Sequence, residues 1–438
     1  MIRVELPGIP QAEFEDAFAV LRECTVTTLP CHGFTRPFMG PGGAYGSCWW
    51  ERDSALTLSG WRWVDQHFAE NVLLDFADVQ KENGRIPLWG NDRVEDYDEQ
   101  LSAIPLLFEV ALKTLRRTRD KALIRRVYEM LCRYMDWWLS PVKRDPVTGL
   151  AAGIFEESDP SDIHDQGVSA QVDLNVQLCV GADVLAELAG YLEEYEQRAR
   201  WQQVFAELRA AVNRWLYDPA DGLYYPYLLR EKRLQAERVY NAMFDVFKRR
   251  ILPADRAERL LAYLQDDANF GYGSPYGLTT MAKHCGQYTE TVGVYQGYTS
   301  WSGNIWTLRN EIIISGLREY GLREQSAHLA WQTVREFSGN YAEFMNPRTG
   351  EGHGVQRYGW TASQYIQLII EELFGVDDNV WTDTLTVSPN LPAELTGQTV
   401  RLFNLPLRSG RFLHVTACRT ESMTEVRPVI TDGELDAF

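Results

Sequence analysis

This 438-residue sequence has no excess of basic side chains and no organised pattern of cysteines. Lysine and arginine together number 43, against 61 aspartates and glutamates, for a formal net charge of −18. Nucleic-acid binding needs a basic surface against the phosphates, so this balance argues against a nucleic-acid partner. The seven cysteines are scattered and include no Cys-x-x-Cys pair. Neither a disulfide framework nor a zinc site is therefore predicted.

The sequence also lacks the segments that would direct it to a membrane and the motifs that would bind a cofactor. The stretch Met1–Gly8 has neither the charged start nor the apolar core of a signal peptide. Nowhere is there a run of about 18 apolar residues. The histidines form no His-x-x-x-His or His-Glu-x-x-His motif, and the glycines form no phosphate loop. We therefore expect a cytoplasmic protein with no membrane partner, no metal and no cofactor.

Aromatic residues and helical periodicity, in contrast, are abundant. The chain has 14 Trp, 21 Tyr and 18 Phe, whose flat apolar faces suit both a helical core and a sugar-binding cleft. Apolar residues at helical spacing predict about twelve helices. Their predicted ranges are 11–24, 53–66, 68–81, 98–117, 119–139, 169–191, 193–217, 238–250, 254–266, 303–320, 322–338 and 360–374. Short turns alternate with long loops, which is typical of an (α/α)6 barrel with function on its long-loop face.

The pattern changes near Trp381. Beyond it, four segments alternate or run apolar over strand lengths. They are Thr384–Pro389, Thr399–Phe403, Gly410–Thr416 and Glu425–Ile430. We therefore predict an all-α fold in which residues 1–376 form the barrel, with a small β-rich appendage over residues 377–438 packed on it.

One carboxylate lies in a loop rich in aromatic and turn residues. Glu343 is part of the run Asn-Tyr-Ala-Glu-Phe-Met-Asn-Pro at 340–347, and an apolar helix follows at Gly359-Trp360. A carboxylate placed in this way is a candidate general base. The alternative is an ordinary exposed loop acid, because glutamate is seldom buried.

A second aromatic and charged cluster precedes the second predicted helix. Two adjacent tryptophans there are followed by an arginine and an aspartate, and the next long loop has a similar composition. A tryptophan face can stack on a sugar while the charged groups hydrogen-bond its hydroxyls. The alternative is that Asp53 or Ser54 simply caps the helix. The candidate substrate-binding residues are Tyr45, Trp49, Trp50, Arg52, Asp53 and Trp89.

The loop between Gly149 and Asn175 is crowded with acidic residues. Crowded carboxylates raise one another's pKa, so that one of them can stay protonated near neutral pH and act as a general acid. Asp159 is the candidate, with Asp162 or Glu157 as alternatives. The competing interpretation is a solvated turn.

The loop from Gly271 to Trp306 holds the largest share of aromatic residues. A hydrophobic cluster under a long loop accounts for some of these rings, and a sugar-stacking wall accounts for the others. We take Tyr298, Trp301 and Trp306 as candidate substrate-binding residues in this loop.

Several segments along residues 11–375 match one glycosidase pattern. They are Trp50–Asp53, Asn83–Pro87, Gln100–Pro105, Tyr134–Trp138, Asp173–Asn175, Tyr276–Leu278 and, most strongly, the run around Glu343 up to Gly359–Ala362. The chain resembles the inverting (α/α)6 glycosidases of the clan that holds trehalases and glycoside hydrolase family 63. That family includes processing α-glucosidases and short bacterial hydrolases of mannosylglycerate and glucosylglycerate. The resemblance implies that Glu343 is the general base and adds Gln100 and Trp360 to the substrate-binding candidates.

Two segments differ from that family's pattern. The family carries its acid in Glu-Ser-Gly-x-Asp-Asn-Ser, whereas the run from Glu157 to Ser161 is two residues shorter, so Asp159 aligns across a gap. The family's Trp-Arg-Gly-Pro-x-Trp reads Trp-Ser-Gly-Asn-Ile-Trp at 301–306, without the arginine. Substrate choice is expected to differ accordingly.

The sequence and its resemblance together predict an inverting hydrolase of a small α-linked glucoside or mannoside. Asp159 would be the acid and Glu343 the base, and the partner would be a small carbohydrate such as a glycerate glycoside. Candidate cations for a glycerate carboxylate are Arg52, Arg85, Arg93 and Arg357. Two alternatives stay open: a non-catalytic sugar-binding barrel, and a sugar epimerase using histidines such as His164, His284 or His353. The sequence also leaves open the sugar, the aglycone and the oligomeric state.

Overall fold

The helices of the protein build two concentric layers. The computed structural model describes residues 2–31, 33–91, 102–152, 169–290 and 302–435. Within them the α-helices are α1 (Gln11–Glu23), α2 (Glu51–Leu56), α3 (Leu58–Val64), α4 (Gln66–Val79), α5 (Leu107–Leu115), α6 (Lys121–Trp138), α7 (Val172–Tyr191), α8 (Tyr195–Trp215), α9 (Ala257–Gln265), α10 (Thr307–Tyr320), α11 (Arg323–Phe337) and α12 (Gly359–Gln367). A 3₁₀ segment covers Asn241–Arg250, and a π-helical turn, Leu368–Leu373, extends α12.

The inner layer is a closed ring of segments that are buried on nearly every side. In ring order these are α2 with α3, α5, α7, the 3₁₀ segment, α10 and α12. Each contacts the next, and α12 contacts α3 to close the ring. The outer layer consists of α1, α4, α6, α8, α9 and α11, which keep one face exposed. The predicted (α/α)6 barrel is confirmed.

Close packing between α3 and α12 explains why the second predicted helix is divided in two. The Ser363 hydroxyl donates to the Thr57 carbonyl at 2.6 Å and accepts from the Gly60 N–H, also at 2.6 Å. A side chain inserted in this way bends a helix. A Cβ on Gly60 would lie 2.8 Å from the Ser363 hydroxyl, so only glycine allows this approach.

A second departure from the predicted helices occurs at residues 238–250. The chain there forms 3₁₀ turns rather than an α-helix, and Arg249 has a left-handed φ of 49°. Lys248 is fully buried with its ammonium between Glu109 and Glu319. The buried ion pairs therefore outweigh helix propensity at this position.

Short strands connect the helices, and a larger sheet covers one side. The strands are β1 (Arg3–Glu5), β2 (Thr25–Val26), β3 (Phe38–Met39), β4 (Cys48–Trp50), β5 (Trp89–Asn91), β6 (Ser169–Ala170), β7 (Tyr217–Asp218), β8 (Leu223–Tyr224), β9 (Tyr227–Leu228), β10 (Arg233–Leu234), β11 (Phe344–Met345), β12 (Gly352–His353), β13 (Val376–Asn379), β14 (Thr384–Val387), β15 (Thr399–Pro406), β16 (Phe412–Arg419) and β17 (Thr424–Thr431). The four-stranded sheet has the order β1-β15-β16-β17 and is antiparallel throughout.

The C-terminal segments that were predicted as strands are all strands, but the sheet also recruits the N-terminus. Residues Arg3–Glu5 pair with Arg401–Phe403, a contact that the sequence pattern did not indicate. The division at residue 376 therefore stays a prediction. Among the described helices, none has both the length and the apolar character needed to cross a bilayer.

Candidate active site

Glu343 lies on a hairpin at the end of the barrel where α2, α10 and α12 begin. Directly after it, β11 pairs with β12. Its own N–H donates to the Val355 carbonyl at 2.9 Å, and its carboxylate accepts from the Val355 N–H at 3.0 Å and from the Tyr45 hydroxyl at 3.1 Å. Glu343 is only 9% exposed. It is therefore a buried and oriented carboxylate rather than an ordinary loop acid.

Gly354 allows the two arms of this hairpin to approach each other. Its φ is +73°, and a Cβ there would lie 2.5 Å from the Glu343 carboxylate and 2.8 Å from the Phe344 ring. A larger residue would have to displace the carboxylate. The glycine is therefore part of what sets the position of Glu343.

Burial raises the pKa of Glu343 above its usual value. The hydrogen bonds from Val355 and Tyr45 act in the opposite direction. The nearby charge of Asp53 raises the Glu343 pKa further, and that of Arg52 lowers it. A carboxylate with a raised pKa is a better proton acceptor, which suits a general base.

Asp53 is another buried carboxylate of this region. It lies on α2, is 3% exposed, and accepts a hydrogen bond from the Tyr358 hydroxyl at 2.5 Å. Burial raises its pKa, while Arg52 and Tyr358 lower it. Helix α2 begins at Glu51 without a side-chain cap, and the Ser54 hydroxyl donates to the Met39 carbonyl. The alternative that Asp53 or Ser54 caps the helix is therefore wrong.

A group of aromatic residues lies beside these carboxylates. Trp50 and Trp89 are cross-strand partners on β4 and β5, with ring centroids 5.9 Å apart and planes inclined by 27°. The Tyr45 ring meets Trp50 edge-on at 6.3 Å and is 43% exposed. These three partly exposed rings could stack on a sugar.

Trp49 points away from this group. Successive side chains of a strand face opposite sides, so Trp49 and its neighbour on β4 diverge. Trp49 is fully buried, stacks on Phe34 at 4.7 Å and donates to the Cys31 carbonyl at 3.1 Å. It belongs to the core, which corrects its assignment as a substrate-binding residue.

Trp306 and Trp360 form the floor under the hairpin. Trp306 stacks on Phe344 at 4.8 Å and meets Trp360 edge-on at 5.9 Å. The guanidinium of Arg52 lies 5.0 Å from the Trp360 ring. With exposed fractions of 3% and 1%, both tryptophans support the site from below. Their contact with a substrate stays a prediction.

A buried polar cluster that the sequence did not indicate lies on neighbouring inner segments. Arg309 on α10 donates to Asp245 at 2.7 and 3.1 Å and to the Asn241 side chain at 3.0 Å. Burial raises the pKa of Asp245 to about 6, against the lowering effect of Arg309. Polar residues within an otherwise apolar helical pattern are the sequence signal that would have revealed it.

Of the remaining candidates from the sequence, some lie outside the described residues and Arg357 is held in ion pairs away from Glu343. Arg357 binds Asp16 through both terminal nitrogens at 2.9 Å and also pairs with Glu23, so α1 holds it. His284 is exposed, and His353 is the β12 partner of Phe344. Within the described ranges, no group of three or more His, Cys, Asp or Glu side chains could hold a metal. The candidates outside the described residues are Gln100, Asp159, Tyr298, Trp301, Glu157, Asp162, Arg93 and His164.

The chain is similar to glycoside hydrolases in both sequence and fold. The family model described as mannosylglycerate hydrolase MGH1-like glycoside hydrolase domain matches residues 47–155 and 153–361. A mannosylglycerate hydrolase of Rubrobacter radiotolerans is 27% identical over 204 residues, which cover 45% of this chain and 43% of that protein. The chain spans about half the length, or less, of the curated relatives it matches.

Solved structures of glycoside hydrolases share the fold, and two of them illustrate the likeness. The family 63 mannosylglycerate hydrolase of Thermus thermophilus in complex with glucose has a TM-score of 0.66 and 19% identity, covering 81% of this chain and 98% of that chain. The neutral trehalase of Saccharomyces cerevisiae has a TM-score of 0.61 and 18% identity, covering 77% and 73% respectively. At these identities the likeness establishes the barrel fold.

Proposed function

Because the chain belongs to the mannosylglycerate hydrolase MGH1-like glycoside hydrolase domain family, we propose that it is an inverting hydrolase of a small α-linked glucoside or mannoside. The family match confirms the predicted resemblance and supports the predicted enzyme class. The inverting mechanism, the sugar and the residue roles are the proposal. The observation that carries it is the Glu343 carboxylate, which is buried and held by hydrogen bonds to both of its oxygens.

In the proposed reaction Glu343 takes a proton from a water molecule. The water oxygen then attacks the anomeric carbon from the face opposite to the leaving oxygen. Asp159 donates its proton to that leaving oxygen as the glycosidic bond breaks. Inverting glycosidases separate the two carboxyl groups by about 6.5–9.5 Å to make room for the water. An α-glycoside would therefore release a β-sugar.

The groups around Glu343 suit the binding of a small carbohydrate. Tyr45, Trp50 and Trp89 offer aromatic faces, and a buried carboxylate such as Asp53 can accept hydrogen bonds from sugar hydroxyls. A glycerate aglycone would add a carboxylate and require a cation. Arg357 is held by α1, which favours a cation from elsewhere in the site.

The first experiment measures sugar release from a panel of α-glucosides, α-mannosides and their glycerate forms, with the product anomer followed by NMR. We expect β-sugar as the first product of the wild type. Glu343→Gln should lower kcat by about 10²–10⁴-fold, the usual contribution of a general base. Glu351→Gln is the matched control. This glutamate immediately precedes β12, as Glu343 immediately precedes β11, but its side chain is 70% exposed.

A second arm tests the role of Glu343 directly. In Glu343→Ala, added azide should restore cleavage and form a β-glycosyl azide, because the small anion replaces the activated water. Release of α-sugar by the wild type would overturn the inverting mechanism. Unchanged activity in Glu343→Gln would remove this residue from the role of base. If no substrate is cleaved but solvent deuterium enters a sugar C–H bond, the epimerase alternative gains support.

A further inference from the structure

Two tyrosines each hold one buried carboxylate near the hairpin. Tyr45 donates its hydroxyl to Glu343, and Tyr358 donates its hydroxyl to Asp53. The two tyrosine rings are themselves in contact, with centroids 6.3 Å apart. The carboxylates are therefore connected through a continuous set of packed side chains.

The backbone holds Tyr358 firmly in place. Its N–H donates to the Tyr341 carbonyl at 2.6 Å, and its ring meets Trp360 edge-on at 5.0 Å. The next residue, Gly359, donates to the Pro41 carbonyl, and a Cβ there would lie 2.9 Å from the Met39 side chain. Tyr358 is 3% exposed. Its hydroxyl thus has a set direction toward Asp53.

We propose that Tyr358 is a positioning residue that keeps the Asp53 carboxylate ionised near Glu343, and that the charge of Asp53 keeps Glu343 basic enough to activate water. This inference rests on the proposed function, because it takes Glu343 as the base. It assigns Asp53 an electrostatic role in addition to any contact with the sugar.

The groups that face Asp53 act in opposite directions on its pKa. Burial raises it, whereas the charge of Arg52 and the Tyr358 hydrogen bond lower it. The Cys48 thiol also faces this carboxylate and stays neutral, because burial raises its pKa to about 11. The pKa of Tyr358 itself lies well above its usual value because the ring is buried, so the hydroxyl remains a donor. Removing the Tyr358 hydroxyl should therefore raise the pKa of Asp53, because one of the groups that counteract the effect of burial is lost.

The groups that face Glu343 are Tyr45, the Val355 N–H, Arg52 and Asp53. Of these, Asp53 is the one whose negative charge raises the Glu343 pKa. Neutralising Asp53 should therefore make Glu343 a weaker base, with the two hydrogen bonds to its carboxylate left in place.

The test follows the protonation of Asp53 by infrared spectroscopy of the full chain labelled with ¹³C-aspartate. The carboxylic-acid band that disappears in Asp53→Asn belongs to this residue. In Tyr358→Phe the midpoint of this band should move to higher pH by about one to two units, the worth of one hydrogen bond to a charged group. The phenyl ring preserves the contacts with Tyr45 and Trp360.

Tyr365→Phe is the matched control. This tyrosine lies on α12, whose first residue follows Tyr358, is 1% exposed and shares its hydroxyl with Ser338 at 3.0 Å rather than with Asp53. It should leave the Asp53 band unmoved. An unchanged Asp53 midpoint in Tyr358→Phe would overturn the proposal, since a purely structural tyrosine would produce that result.

Two further readings separate this inference from the proposed function. With ¹³C-glutamate, the band lost in Glu343→Gln should titrate at lower pH in Asp53→Asn than in the wild type, and an unmoved band would overturn the electrostatic role. On a cleaved substrate, the active form has both carboxylates ionised, so the acidic limb of kcat/KM should move to higher pH in Tyr358→Phe. No such movement should follow when Tyr358→Phe is added to Asp53→Asn. If the wild type cleaves no glycoside, the proposed function fails, while the infrared bands still decide the role of Tyr358.

Discussion

The two ends of the barrel surround their buried carboxylates in opposite ways. At the hairpin end, Glu343 receives a tyrosine hydroxyl and a backbone N–H, and burial raises its pKa. At the other end, Glu371 on the π-helical turn of α12 accepts from the Arg62 guanidinium and from the Trp63 indole at 2.8 Å. Burial alone would raise the pKa of Glu371, but the cations around it lower it. The surroundings therefore raise the pKa of Glu343 and lower that of Glu371.

The same inner segments connect the two regions. Helix α12 and its π turn carry Trp360 at the hairpin end and Glu371 eleven residues later, a distance of about 16 Å along a helix. The 3₁₀ segment likewise carries Asn241 near one end and Lys248 near the other. The ammonium of Lys248 contacts Glu109 at 2.7 Å and Glu319 at 3.0 Å. Charged side chains line a cleft of about 340 Å³ at this end.

The contrast suggests a division of labour within one ring of helices. Ion pairs between buried cations and carboxylates hold the segments together at the end away from Glu343. Carboxylates with few cations nearby lie where the proposed reaction moves a proton. Such incompletely neutralised groups cost stability, and they are typical of functional sites.

The largest expected effect is a loss of stability when the Lys248 ion pairs, at the end of the barrel away from Glu343, are broken. Lys248→Met removes a fully buried ammonium and leaves Glu109 and Glu319 without their main partner. Breaking a buried ion pair in this way typically costs about 3–5 kcal/mol of unfolding free energy. Urea denaturation followed by circular dichroism measures the loss. Lys121→Met is the control, because its pair with Glu193 is exposed and worth at most about 1 kcal/mol.

A loss in Lys248→Met no larger than in that control would break the comparison. The ion pairs would then be incidental to the stability of the ring.

A smaller effect on stability, combined with a loss of activity, is expected at the hairpin end. Gly354→Ala places a methyl group 2.5 Å from the Glu343 carboxylate and forces alanine to adopt a φ of +73°. The backbone strain costs about 1–2 kcal/mol. Displacement of the Glu343 carboxylate should in addition lower kcat, by up to about 10²-fold for a shift of 1 Å. Thermal unfolding and initial rates measure the two losses separately.

The matched control for this change is Gly397→Ala. Gly397 has a similar φ of +78°, but a Cβ there would meet nothing within 4 Å. It should show the same backbone strain with unchanged kcat. Equal kcat in both variants would contradict the role of Gly354 in placing Glu343.

The smallest expected effects are opposite pH dependences of stability. The pKa of Glu371 is lowered in the folded protein, so its ionised form contributes stability above the unfolded-state pKa of about 4.3, and this is lost as pH falls through the folded pKa. Glu371→Gln should therefore be less stable than the wild type at pH 7, by about 1.4 kcal/mol per unit of pKa shift. The difference should shrink in acid.

Glu343 has the reverse sign. Its folded pKa is raised, so the folded protein loses stability as pH rises from about 4.3 toward that pKa. The stability of Glu343→Gln relative to the wild type should therefore increase as pH rises from about 4.3 toward the folded pKa of Glu343. Urea titrations of both variants between pH 3 and pH 8 measure the two slopes. If the stability of both variants relative to the wild type changed with pH in the same direction, the two carboxylates would not differ as proposed.

Local sequence patterns were sufficient for most of the helices and for the hairpin acid. The 3.6-residue periodicity located the segments of both layers, and turn residues around Glu343 indicated an ordered loop. Trp49 was misplaced because adjacent residues of a strand face opposite sides, and the short strand β4 was not predicted. Tyr358 and Arg309 were missed because their partners lie 305 and 64 residues away in the chain.

The sequence by itself determined the class of fold, because helical periodicity and turn residues act over short stretches of chain. It also determined the family, through the run around Glu343. Tertiary structure alone decided which carboxylates lie near cations and which lie among aromatic rings. That choice depends on burial and on charges brought together from distant segments, such as Glu109 and Lys248, whose separation of 139 residues hides the pair from any local pattern.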